Sequence, residues 1–191
     1  MNKLFRAKGL NCLFLKTLIW NMNTNKNQLI TVSTMVAIAA ATRFLPHPPN
    51  FTAIGGMALF GAATLNNKKL ALMVPVMAMV ISDLFIPNGF DFAVYAAFIA
   101  IAALGLYIRN KKGVLPVIAG SLTASVIFFV ISNFAVWVSQ AMYAKNAIGL
   151  MTCFEAAIPF FPNTIAGDLF FSSLLFASYA IIKKTNLVIV K

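Results

Sequence analysis

The chain is poor in nearly everything that soluble chemistry uses. Of its 191 residues only 10% are charged, four are acidic, one is His and two are Cys. A water-soluble domain carries about 25% charged residues, so the composition excludes a soluble enzyme and a disordered tail. Cys12 and Cys153 lie far apart and form no CxxC pair, too little for a disulfide framework or a zinc site. With His47 as the single histidine, a bis-His haem within one chain is excluded. There is no Walker motif, so this chain does not hydrolyse ATP itself. HExxH, GxSxG and Cys–His clusters are absent too. No acids follow one another in mid-span as a proton relay would need, and the halves show no repeat of the kind secondary transporters carry. The expectation is a protein that is not an enzyme and has neither cofactor nor metal.

What is present is apolar. Hydrophobic residues make up 61% of the chain, 18 of them Phe, and mean hydropathy is +0.87. The formal net charge of +11 comes from fifteen bases against four acids. A nucleic-acid binder gathers Lys and Arg on one polar face; here they sit in short clusters between long apolar runs. The sequence therefore reads as an all-α polytopic membrane protein, a single six-transmembrane-helix bundle. The expected spans are residues 28–44, 51–65, 70–86, 92–108, 114–138 and 164–182. Pro46, Pro48 and Pro49 end the first, since each lacks an amide donor and restricts its predecessor. Pro75 is expected to kink the third, and Pro87-Asn88-Gly89 to close it. A long, partly apolar connection, 139–163, precedes the last span.

Residues 28–182 are thus the membrane domain, 1–27 a cytoplasmic N-terminal segment and 183–191 a cytoplasmic tail. The run 10–20 is apolar but broken by Lys16 and too short to span. It is either an interfacial amphipathic helix or part of an upstream extension, with Met22 as the true start.

Charge bias sets the orientation. With the N-terminus inside, thirteen of the fifteen bases fall on the inner side, and only Arg43 and Lys145 outside. All four acids, Asp83, Asp91, Glu155 and Asp168, fall outside. Both termini are then cytoplasmic.

Five features bear on function. Ser33, Ala37 and Ala41 recur every fourth residue, with Ala40 beside them, giving the first span a flat face. Small residues let helices approach closely in lipid. That face packs within the bundle or docks a separate membrane partner. Arg43, Asp83 and Asp168 lie near the outer ends of three spans. A charge near the bilayer centre costs about 2.5–3.5 kcal/mol, less toward the interface, and persists when paired or lining a wet cavity. Arg43 is expected to pair with Asp83 or Asp168, as a structural tie, as the rim of an outward pocket, or both. The Pro-rich loop through His47 and Asn50 runs into Gly55-Gly56, where bare backbone approaches a neighbour or a ligand. Asn133 and Trp137 share one face late in the fifth span. Trp137 reads mainly as an aromatic-belt anchor, and Asn133 as a partner for another helix or a ligand. The connection 139–163 holds Tyr143, Cys153, Glu155, Phe160 and Phe161, and either lids a pocket or lies in the headgroup region. Nothing near Cys153 in sequence marks it as a reactive thiolate.

Four of these features carry a resemblance. The run Arg43-Phe44-Leu45-Pro46-His47-Pro48-Pro49-Asn50-Phe51-Thr52, followed by Gly55-Gly56-Met57-Ala58-Leu59-Phe60-Gly61, resembles an uncharacterised bacterial family regarded as transport proteins. Ser82-Asp83-Leu84, Asn133 to Trp137, Ala157 to Thr164 and Gly167-Asp168-Leu169 resemble it as well, over roughly residues 28–182. That family is similar to the substrate-binding S components of energy-coupling factor (ECF) transporters. The resemblance implies a six-helix protein that binds a vitamin or related micronutrient from outside. It also implies docking of the first helix, through an Ala-x-x-x-Ala face that Ala37 and Ala41 fit, to a scaffold transmembrane subunit served by ATPases. The expected ligand-binding set is Arg43, His47, Asn50, Asp83, Asn133, Trp137, Asn163 and Asp168. The expected docking set is Ser33, Ala37 and Ala41. The partners are a small molecule, the lipid bilayer and the coupling module, with no nucleic acid. The alternatives are a stand-alone facilitator or secondary transporter of the same fold, or an intramembrane enzyme or assembly factor using Asp83 and Asp168.

Overall fold

A computed structural model describes residues 30–86, 90–111 and 113–189, the stretch 182–189 as backbone alone. The expected N-terminal segment 1–27, the choice between Met1 and Met22, and the turn Pro87-Asn88-Gly89 lie outside the described residues. The elements are α1 (Ile30–Thr42), α2 (Ile54–Thr64), α3 (Lys68–Asp83), α4 (Phe92–Ile108), α5 (Leu115–Ser139), α6 (Ala147–Ala157) and α7 (Phe161–Ile189). A 3-10 turn, Ile158–Phe160, joins α6 to α7. Among the described residues the fold is all-helical.

Local chemistry sets most boundaries. Asn67, Asp91 and Asn146 cap α3, α4 and α6 by accepting hydrogen bonds from first-turn amides, which satisfies donors that have no partner inside the helix. Between α1 and α2, Pro48-Pro49-Asn50-Phe51 forms a β-turn closed by Phe51 N–H donating to Pro48 O at 3.0 Å. Pro49 holds the second position, and Asn50, with φ 65°, holds the third, the left-handed position that makes this a type II turn. Pro75 sits inside α3, which runs on past it to Asp83.

The second helix is the centre of the fold. Nine of its eleven residues are buried, and it packs against α3, α4, α5 and α7. A helix apolar on all sides has to be enclosed, and its glycines and alanines let the neighbours close in. A Cβ on Gly105 of α4 would stand 2.5 Å from Leu59 O, so α4 approaches the α2 backbone only because that position is bare. Eleven residues rise about 16 Å, and α2 starts at Ile54, not at residue 51 as expected. Its N-terminus is therefore sunk inside the bundle, with Ala53 fully buried.

The outside of the bundle carries many large apolar side chains. Leu115, Ile118, Leu122, Val126, Val130, Phe134 and Val138 are all exposed and form an apolar stripe that winds along α5 from end to end. That helix has 25 residues and is about 37 Å long. Two stretches, Leu115–Ser139 and Ala147–Ile181, are long and apolar enough to cross a membrane. The expected connection 139–163 holds a helix, α6, which packs on α5. The expected tail 183–191 is for the most part a continuation of α7, whose backbone stays helical to Ile189.

Candidate functional site

Because α2 begins deep, the loop before it and the N-terminal third of α7 enclose a cavity of about 290 Å³. Its polar lining comes from Arg43, His47, Asn50, Thr52, Thr164 and Asp168. Its floor and far wall are Ile54, Met79, Ile101, Phe98 and Phe128, the last two paired at 5.4 Å between ring centroids. A second chamber of about 230 Å³ adjoins it, shares Asn50, Val94, Phe128 and Thr164 with it, and adds Ser132 and Asn133. Ligand sites commonly span about 300–1,000 Å³, mostly apolar with a few placed polar groups. The two chambers together fit that description.

Of the two acids open to Arg43, the structure selects Asp83. Arg43 Nη1 donates to Asp83 Oδ1, forming an ion pair, and lies 2.5 Å from Ser82 Oγ. Tyr95 Oη donates to the other carboxylate oxygen of Asp83 at 2.7 Å. The cluster ties the end of α1 to α3 and α4. Asp83 is buried there, and Arg43 keeps one edge on the cavity.

Asp168 is placed differently. It is 5% exposed and lines the cavity. Its Oδ2 accepts from Ser125 Oγ at 2.8 Å, and its Oδ1 faces Gly55 so closely that a Cβ there would overlap it. No cationic side chain pairs with it among the described residues. A carboxylate drawn out of water this far needs a counter-charge, further donors or a proton.

The loop is held by its own side chains. His47 Nδ1 lies 2.8 Å from Pro48 O; a carbonyl only accepts, so Nδ1 carries the proton. Thr42 Oγ1 donates to Ala39 O and accepts from Ala53 N–H, which pins the far end of the loop to α1. The backbone lining the cavity is thereby fixed before any ligand arrives.

Of the eight expected ligand residues, Arg43, His47, Asn50 and Asp168 line the main cavity and Asn133 lines the adjoining one. Asp83 sits behind Arg43. Two others lie elsewhere. Trp137 Nε1 donates to Ala144 O at 2.9 Å, Lys145 Nζ donates to Trp137 O and Gln140 O, and together they fasten the α5–α6 turn. Asn163 lines neither chamber. Asn133 also donates from Nδ2 to Phe129 O at 2.7 Å, and its own carbonyl receives Cys153 Sγ–H at 3.4 Å. Cys153 is thus a buried contact between α6 and α5. Among the described residues, no group of His, Cys, Asp and Glu could hold a metal. Ser82, Tyr95, Ser125, Thr52 and Thr164 join the site without having been expected there.

The small-residue stripe on α1 faces outward. Ser33, Ala37 and Ala41 are exposed, while Met35, Val36, Ala39 and Ala40 make the face that packs on the bundle. Packing among the described residues therefore does not account for the stripe.

Residues 23–189 match the model of a family of unknown function, DUF6580, and the chain belongs to that family. No curated protein and no solved structure matches it.

Proposed function

We propose that the protein is an integral membrane subunit that binds a small micronutrient from outside and delivers it together with an ATP-driven coupling module. The observation that carries this reading is the preformed cavity with Asp168 and Arg43 on its walls, at the end of the bundle where the acids gather. The apolar face of α5, about 37 Å long, supports a membrane setting, because a hydrocarbon core is about 30 Å thick. In this reading α1, α2, α3, α4, α5 and α7 are the six passes of an S-component-like bundle in a bacterial inner membrane. The short α2 is tolerated because protein covers its non-helical ends at membrane depth. The end bearing Lys68, Lys69, Arg109 and Lys111 is cytoplasmic by charge bias, and α6 lies over the outer face.

The cavity also bounds the ligand. Its volume of about 290 Å³ admits one small ring system. The Asp168 carboxylate beside the Phe98 and Phe128 rings favours a ligand with a protonated amine or a cationic heterocycle, through ion pairing and cation–π attraction. The exposed Ser33/Ala37/Ala41 face supports docking of a scaffold subunit through close helix contact.

The test is native mass spectrometry of the protein purified from its own membranes, paired with uptake assays in a strain lacking the gene. We expect one small molecule to copurify and its uptake to fall in the deletion strain. Undiminished uptake of every vitamin and amine assayed, with no copurifying ligand, would overturn the reading.

A further inference from the structure

At the opposite end of the bundle, a larger cavity of about 790 Å³ opens between the α4–α5 turn and α7. Arg109, which follows the last turn of α4, lines it. The Nη2 of this guanidinium is buried, with no hydrogen-bond partner among the described residues. A guanidinium nitrogen removed from water without an acceptor is unfavourable, so an acceptor belongs beside it. The chain's four acidic side chains do not supply one. Asp83 ends α3, Asp91 caps α4, Glu155 lies in α6 and Asp168 in the first turns of α7, all at the far end.

Other features of the cavity point to the acceptor's chemistry. Lys111 borders the same cavity, and its ammonium, 5.8 Å from the centroid of the Tyr107 ring, places a second cation at the rim. The first turn of α5 also lies in this wall, but it offers few amides, because Pro116 has no N–H and Val117 and Ile118 donate to Val114 O. Two cations suit an anion with several acceptor oxygens. Val117, Ile118 and Phe176 give the lining an apolar flank, and Ile118 is exposed on the outer surface. The cavity therefore has a charged head and an apolar flank that reaches the lipid-facing side.

We propose that this cavity binds a phosphate group, held by Arg109 and Lys111, with the apolar flank taking the tail of the molecule that bears it. A phosphate matches the planar fork of Arg through paired hydrogen bonds. The source that fits the flank best is an anionic phospholipid of the cytoplasmic leaflet.

The experiment uses the full chain in detergent, stripped of lipid by extensive washing. Dioleoylphosphatidylglycerol is added back, with dioleoylglycerol as the same tails without phosphate, and inorganic phosphate as the head without tails. Retention is read by native mass spectrometry and melting temperature. We expect phosphatidylglycerol to be retained, dioleoylglycerol not, and retention to fall at least tenfold in Arg109→Gln and recover in part in Arg109→Lys. Ser173→Leu, at an exposed position in the same lining, should also block retention, and serves if the Arg109 variants do not fold. An Arg109-dependent melting shift with inorganic phosphate alone supports the site and assigns the phosphate to solution. Equal retention of both lipids, or retention indifferent to Arg109 and Ser173, overturns the proposal. Ligand copurification at the Asp168 cavity is read separately, so either proposal can fail without the other.

Discussion

The bare Cα of Gly55, in the first turn of α2, lies directly against the Oδ1 of Asp168, so closely that a β-carbon at Gly55 would overlap that oxygen. The contact joins the buried start of the central helix to the acid of the cavity, and it makes their effects interdependent.

Gly55→Ala should therefore destabilise the protein by about 1–3 kcal/mol, the usual cost of overpacking. In Gly55→Ala/Asp168→Ala the clashing oxygen is gone, and most of the loss should return. A double-mutant cycle on thermal unfolding in detergent checks this. Simple additivity of the two substitutions would refute the contact.

Asp168→Asn keeps the shape of the side chain and can still accept from Ser125, but it removes the charge. Melting temperature should stay close to that of the parent while affinity for a cationic ligand falls about tenfold or more, roughly 1.4 kcal/mol. Titration calorimetry with the copurified ligand measures it. Unchanged affinity would mean that Asp168 serves packing alone.

Removing one partner of a buried ion pair strands the other. Arg43 is partly open to the cavity, with its side chain 17% exposed, so Arg43→Met should cost about 3 kcal/mol, the lower end of the range for buried pairs. The pair replacement Arg43→Met/Asp83→Leu should recover much of this, since no charge is left unpaired, although Tyr95 then loses its acceptor. Chemical unfolding of the three proteins side by side gives the comparison. A double variant no more stable than Arg43→Met would contradict the ion-pair account.

Ala37→Leu/Ala41→Leu alters only exposed positions, so stability should change by less than about 0.5 kcal/mol. If α1 docks a scaffold helix, uptake should collapse while ligand binding by the isolated protein survives. Uptake that persists would favour a stand-alone facilitator.

Trp137→Phe deletes the hydrogen bond to Ala144 O and should cost about 1 kcal/mol, loosening the α5–α6 turn. Because Trp137 lines neither chamber, ligand affinity should hold. Calorimetry showing a large affinity loss would place the indole nearer the ligand than the structure has it.

Sequence alone determined the helical segments, because long apolar runs bounded by Asn, Asp, Pro and Gly leave few other ways to satisfy the backbone. It located the α4 boundaries to the residue and most others within three positions, but it took α6 as part of a connection and ended α7 seven residues early, at 182 instead of 189. Arg43, His47, Asn50 and Asp168 were also legible, since a charge or a rigid polar loop inside an apolar run is rare enough to stand out.

Only the tertiary structure decided which helix faces meet. Periodicity shows that Ser33, Ala37 and Ala41 share a face; it does not show that Met35, Val36 and Ala39 on the other side win the core. The depth at which α2 starts, and so the existence of the cavity, depends on four helices closing around glycine and alanine. The choice of Asp83 over Asp168 for Arg43 likewise depends on which helix ends are adjacent. Ser125 and Tyr95 gave no signal in advance. Hydroxyls within apolar helices routinely bond to the carbonyl one turn back, as Ser121 and Ser132 do. Nothing in one dimension separates those from the few that face an acid across a cavity.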